Sequence, residues 1–145
     1  LTKIMFDSNM FDNLPNCIDK IIYSKVEYEY YVTTLQIEEL CKIPDSKKDK
    51  RISLITHLAI LRPKLIPIST FVLGYAKLGQ VKLGDGIEYN KILNKTKSNI
   101  ADALIASTAV NEGCTLITDD TKLTTKMKNN NYPVMSFSEF IESLK

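Results

Sequence analysis

The stretch "SNIADALIASTAVNEGCTLITDD", from Ser98 to Asp120, constrains the fold more than any other. Ser98 or Asn99 can cap a helix, alanine, leucine and isoleucine fill it, and Gly113 sits where a C′ glycine closes it. "CTLIT" is β-branched and apolar and predicts a strand. "DDTKLTTKMKNN" then predicts a second helix capped by an aspartate. Helix, strand and helix following one another without a linker is the unit of an α/β chain, in which parallel strands are covered by helices.

The remaining segments extend the alternation. "KIMF" (Lys3 to Phe6) is a short apolar strand ending at Asp7, and "DSNMFDNL" opens a helix with capping residues. "VEYEYYV" predicts a strand. Thr33 and Gln36 form a capping box at the start of "TTLQIEELCKI", and Pro44 ends that helix. "KKDKRISLITHLAILRPKL" predicts an amphipathic helix with Ile52, Ile55, Leu58 or Ala59, and Arg62 on one face, stopping near Pro63. "LIPIS" reads as a short strand. "FVLGYAKLGQVKLGDG" reads as a helical turn and then an exposed loop, and "IEYNKIL" as a helix. "YPVMS" is a closing strand and "SFSEFIESL" a last helix. The expected fold is a three-layer α/β/α sandwich around a mostly parallel sheet, formed by residues 1–145 as one domain.

A length of 145 residues, with 44% hydrophobic and 25% charged residues, suits such a domain. No run approaches the roughly 20 apolar residues that span a bilayer, and the N-terminus does not read as a signal peptide. The three cysteines, Cys17, Cys41 and Cys114, have neither zinc spacing nor an even count. They are expected to be buried thiols in a reducing cytoplasm. Net charge is +2, but "DSKKDKR" concentrates Lys47, Lys48, Lys50 and Arg51. That run is either a solvated helix face or a contact for a phosphate backbone. His57 lies inside an amphipathic helix and reads as structural. No glycine-rich segment ends as a phosphate loop must.

In open parallel sheets, ligands sit beyond the carboxyl ends of the strands. Asp7 follows "KIMF", and Asp119 and Asp120 follow "TLIT". Asp102 lies near the start of the Ala-rich helix, where a capping box with Asn99 would equally explain it. Glu38 and Glu39 lie in the helix after the second strand, and helical periodicity does not separate them.

As an ordered set, these positions resemble the PIN-domain nucleases. "IMFDSNMF" resembles the family's opening strand and D-[ST]-N, "TTLQIEEL" its helix bearing E-L, and "IADALIASTAVNEGCTLITDD" its Asp-Ala helix, glycine break and T-x-D strand end. "YPVMSFSEFI" resembles the closing strand and helix, and only Ile43 to Thr96 has no clear counterpart. The resemblance selects Glu39 over Glu38. It puts the last acidic position on Asp120, leaving Asp119 as a helix cap or an additional ligand. Asn9 and Thr118 would orient the ligands.

Several carboxylates in one pocket repel unless a cation compensates. An all-oxygen donor set suits Mg²⁺ or Mn²⁺. Asp7, Asp102 and Asp120 are therefore expected to bind metal, with Glu39 positioning a metal or the attacking water. The implied activity is metal-dependent hydrolysis of RNA. Chains of this length resemble the VapC toxins, which implies an antitoxin partner and a homodimer. The alternatives are a structure-specific DNA nuclease and a non-catalytic nucleic-acid-binding module. A receiver-type phosphoacceptor would need an Asp and Lys pairing that is absent.

Overall fold

The computed structural model describes residues 1–68 and 97–145, with backbone only for 97–100. The expected loop and helix in "FVLGYAKLGQVKLGDG" and "IEYNKIL" lie outside these residues. The described elements are β1 (Thr2–Phe6), a 3-10 helix (Ser8–Asn13), α1 (Leu14–Ile22), β2 (Tyr28–Thr33), α2 (Thr34–Cys41), a 3-10 turn (Asp45–Lys47), α3 (Lys48–Ile60), β3 (Lys64–Ile66), α4 (Lys97–Glu112), β4 (Thr115–Ile117), α5 (Thr121–Asn129), β5 (Val134–Met135) and α6 (Phe137–Ser143).

The five strands are ordered β3-β2-β1-β4-β5, and every pairing is parallel. Strand alternation divides the core between the two faces. Ile4, Phe6, Tyr30, Val32 and Ile117 face one way, against Leu14 of α1, Leu40 of α2, Leu54 and Leu58 of α3, and Phe140 of α6. Met5, Tyr31 and Leu116 face the other way, against Ile105, Ala106 and Ala109 of α4 and Leu123 and Met127 of α5. This is the expected three-layer sandwich, wholly parallel among the described strands. The small side chains of α4 suit close approach to the sheet; Ala109 is fully buried. Phe6 anchors the first face, with Tyr30 stacked at 5.9 Å and Phe140 edge-on at 5.1 Å between centroids.

Local signals explain the ends of several elements. Thr33 Oγ1 accepts from Gln36 N–H at 3.1 Å, and Gln36 Oε1 accepts from Thr33 N–H at 3.1 Å, completing the expected capping box. At the end of α4, Gly113 N–H donates to Val110 O and Cys114 N–H to Ala109 O, which is the Schellman arrangement. Gly113 adopts φ +74, the left-handed conformation that glycine takes without a Cβ penalty. A second capping box, Ser136 with Glu139, opens α6.

Three expectations are corrected. The buried stripe of α3 is Leu54 and Leu58, with Arg51 half-buried beside it, whereas Ile52, Ile55 and Ala59 are exposed. Two apolar stripes of equal periodicity run along α3, and tertiary packing selects the other one. α4 is already helical at Lys97, so Asn99 lies within the helix and Asp102 in its second turn. Asp102 is therefore not the N3 partner of an Asn99 cap. Cys41 is exposed, while Cys17 and Cys114 are buried as expected. No described helix is long and apolar enough to cross a membrane.

Candidate active site

The sheet order reverses between β1 and β4, because the chain winds outward from β1 in both directions. Neighbouring connections leave opposite faces at this point and open a crevice at the carboxyl ends. Asp7 directly follows β1 and Asp120 lies just beyond β4. The ladder continues into the crevice: Asp7 N–H donates to Ile117 O at 2.9 Å, and Thr118 N–H to Met135 O at 2.9 Å.

Asp7 is buried at 2% exposure. Its Oδ1 accepts from Ser8 N–H at 2.8 Å and its Oδ2 accepts from the Thr118 hydroxyl at 2.9 Å. Burial pushes its carboxyl above the ordinary range. The bonds from Thr118 and Ser8 pull it down, and the Asp120 charge pushes it up again. Thr118 is itself fully buried, and its Oγ1 accepts from Asp120 N–H at 3.1 Å. One hydroxyl thus joins the two acidic strand ends.

Asp102 projects from α4 and is half-buried. Its pKa is pushed up to about 6, first by burial and then by Asp7, Asp120 and Glu39. Glu39, on α2, is also raised, mainly by burial and further by Asp7, with Ser8 opposing. Its Oε1 is buried without a hydrogen-bond partner. Glu38 is exposed.

Asp119 and Asp120 play different parts. Asp120 caps α5, its Oδ1 accepting from Leu123 N–H at 3.0 Å. Asp119 turns away: its Oδ1 accepts from Phe137 N–H at 2.9 Å and holds the start of α6. The cap expected of Asp119 therefore falls on Asp120, and Asp119 is not among the charges acting on Asp102. Asn9 is exposed on the wall of an adjoining cavity.

The basic run is not uniform. Arg51 donates to Ile43 O at 2.7 Å and to Asp45 at 2.9 Å, so its guanidinium ties α3 to the turn before it. Lys50 lies 3.4 Å from Asp12. Lys47 and Lys48 are exposed.

Two residues outside the expected set shape the crevice. Gln36 is fully buried, and its Nε2 donates to Phe6 O at 2.7 Å and lies 3.4 Å from Ser8 Oγ. One side chain thereby completes the α2 cap and pins α2, with Glu39, to the end of β1. Ser8 contributes its N–H to Asp7 and stands beside Glu39. The capping box made Gln36 visible in sequence, but its contact with Phe6, 30 residues away, was not.

A divalent cation fits this donor set. The donors are all oxygen, Glu39 Oε1 lacks a partner, and the mutual repulsion felt at Asp102 is of the kind a cation relieves. Among the described residues, no three acidic, histidine or cysteine side chains converge tightly enough to hold an ion as they stand.

A family model for the PIN domain matches residues 4–128. The chain belongs to the PIN domain family, a nuclease family. The fold is similar to that of VapBC2 from Rickettsia felis, whose crystal structure is of the protein bound to a DNA fragment from its promoter. That match has a TM-score of 0.50 and 19% identity, and it covers 94% of this chain and 99% of that one. No curated protein sequence matches.

Proposed function

We propose that the chain is a metal-dependent endoribonuclease, with Asp7, Asp102 and Asp120 holding Mg²⁺ or Mn²⁺. The observation that carries this reading is geometric: the Thr118 hydroxyl ties buried Asp7 to the Asp120 backbone at the carboxyl ends of β1 and β4, and Glu39 has a buried carboxylate oxygen without a hydrogen-bond partner. Burial and mutual repulsion also hold Asp102 above the ordinary carboxylate range, and perturbed groups of this kind cluster at functional sites. The bound ion supplies neutralisation of phosphate charge and a more acidic water.

The chain's own residues do the rest. Thr118 and Ser8 N–H hold both oxygens of Asp7 in one orientation. Gln36 sets α2 against β1 and thereby places Glu39, which orients the attacking water. Asp120 is held at the start of α5 by its own cap bond, leaving its second oxygen for the cation. Lys47 and Lys48, exposed on the run before and into α3, engage the phosphate backbone. Asp119 contributes through the position of α6.

Likeness in fold to VapBC2, solved with a promoter DNA fragment, supports a partner chain of the antitoxin type, and the RNA target rests on the resemblance to VapC toxins. Cleavage of a mixed single-stranded RNA and DNA panel, with Mg²⁺, Mn²⁺ or EDTA, tests the proposal. RNA cleavage that requires metal and disappears in Asp7→Asn is expected. Cleavage of DNA alone would establish the DNA-nuclease alternative, and cleavage of neither would leave a binding module.

A further inference from the structure

Beside the acidic crevice lies a cavity of about 180 Å³ formed by the 3-10 helix, α2, α3 and the turn after α2. It shares Glu39 with the acidic set. Its apolar wall is Phe11, Leu40, Ile43 and Leu54, and Lys50 stands in its lining. In other proteins an apolar cavity of about 150 Å³ holds a benzene-sized ring, so this one has room for a single six-membered ring, whereas a fused purine is a tight fit. Phe11, Leu40 and Leu54 are core side chains, so the wall meets a ring through van der Waals edges rather than as a stacking platform.

The polar groups narrow the choice. Gln36 also lines the cavity, but its amide is committed to Phe6 O and the Thr33 cap. Glu39 and Asp12 are acceptors and favour a ring edge that carries an amine, whereas Asn9 and Ser8 both donate and accept and do not discriminate. Cytosine offers N4–H₂ where uracil offers a carbonyl oxygen, and a Glu or Asp accepting from cytosine N4 is a known pairing. Lys50 is held by Asp12 at 3.4 Å, with both side chains about half exposed (52% and 55%). Such a surface pair is weak, and exchanging it for a phosphate costs little.

We infer that this cavity is a base subsite for the nuclease site proposed above, taking one pyrimidine of the substrate strand next to the cleaved bond, cytosine ahead of uracil, with Lys50 on that nucleotide's phosphate. The inference rests on the nuclease reading for its place in the reaction, but its binding chemistry is testable alone.

The test is an amide-resolved NMR titration of the intact chain in EDTA with CMP, UMP, AMP and GMP. CMP should perturb Asn9, Ile43 and Lys50 and bind about tenfold more tightly than AMP or GMP, with UMP between. Ile43→Phe fills the cavity and should abolish the CMP shifts while the dispersed spectrum of the folded chain persists. Lys50→Ala, a change at an exposed position, should weaken CMP and leave cytidine as before. Equal responses to all four nucleotides, or shifts confined to other residues, would overturn the subsite even if no variant were made. CMP-selective binding by a chain that cleaves no RNA would overturn the nuclease reading and uphold the subsite. RNA cleavage with unselective mononucleotide binding would do the reverse.

Discussion

Two polar clusters on the same sheet treat their acids in opposite ways. On β2, Glu29 lies 2.7 Å from Lys64 and accepts from the Tyr31 hydroxyl, while Lys3 and Lys64 stand 5.4 and 5.8 Å from the centre of the Tyr31 ring. Its carboxyl is held below the ordinary range, first by the bond from Lys64 and then by that from Tyr31. At the carboxyl ends of β1 and β4, burial and three more carboxylates act on Asp102, with no cation beside it among the described residues. The first cluster is complete in the chain alone. Among the described residues the second has no such partner, and the proposed cation would supply the missing positive charge.

The largest expected effect comes from breaking the second cluster. Asp7→Asn or Asp120→Asn should lower metal-dependent cleavage by about 10²- to 10³-fold, as loss of one preorganised electrostatic group does elsewhere. Single-turnover rates at saturating Mn²⁺ measure it. Next in size is Thr118→Val, which removes the hydroxyl joining Asp7 to the Asp120 backbone. It should cost about 10- to 100-fold in apparent metal affinity or activity and about 1–3 kcal/mol of stability, read by metal titration and denaturant melts.

A smaller effect distinguishes the clusters by pH. Asp102 has a folded pKa near 6 against an ordinary 3.8, so the folded chain binds more protons between those values. The stability contribution of this group therefore falls as pH rises through that window and recovers on acidification; Asp7 and Glu39, also raised, act in the same direction. Glu29, with a lowered pKa, acts in the opposite sense, its contribution being lost as pH falls. Metal-free wild type should thus lose stability between pH 4 and 6 more steeply than Asp102→Asn, seen in melts across that range. The smallest effect belongs to the first cluster: Lys64→Met should leave the cleavage rate unchanged.

The sequence and the structure agree where the signals are local. Asp7 after an apolar strand, the Thr33 and Gln36 box, and Gly113 before β4 each depend on neighbours within a few residues. The α3 face was not legible, because Ile52 and Ile55 repeat as regularly as Leu54 and Leu58, and only the neighbouring helix and sheet choose between them. Glu39 and Glu38 are equivalent by periodicity, and family resemblance separated them. The roles of Asp119 and Asp120 depend on α6 and on the first turn of α5. The cavity joins side chains from residues 8 to 54, which no local pattern brings together. The Ser136 and Glu139 capping box follows an equally local rule, although only a last helix was expected there.

The central claim is that the acidic cluster is built for a cation. It is tested most directly by thermal melts of wild type and Asp102→Asn at pH 7, with EDTA and with increasing Mg²⁺ or Mn²⁺. In EDTA the variant should melt higher, by about 1 kcal/mol after allowance for partial exposure, since repulsion is relieved. With metal at about 100 times its Kd the wild type should gain about 2.7 kcal/mol, a rise of several degrees, and the variant much less. A variant that melts lower in EDTA and responds to metal as the wild type does would contradict the account and make Asp102 a structural residue.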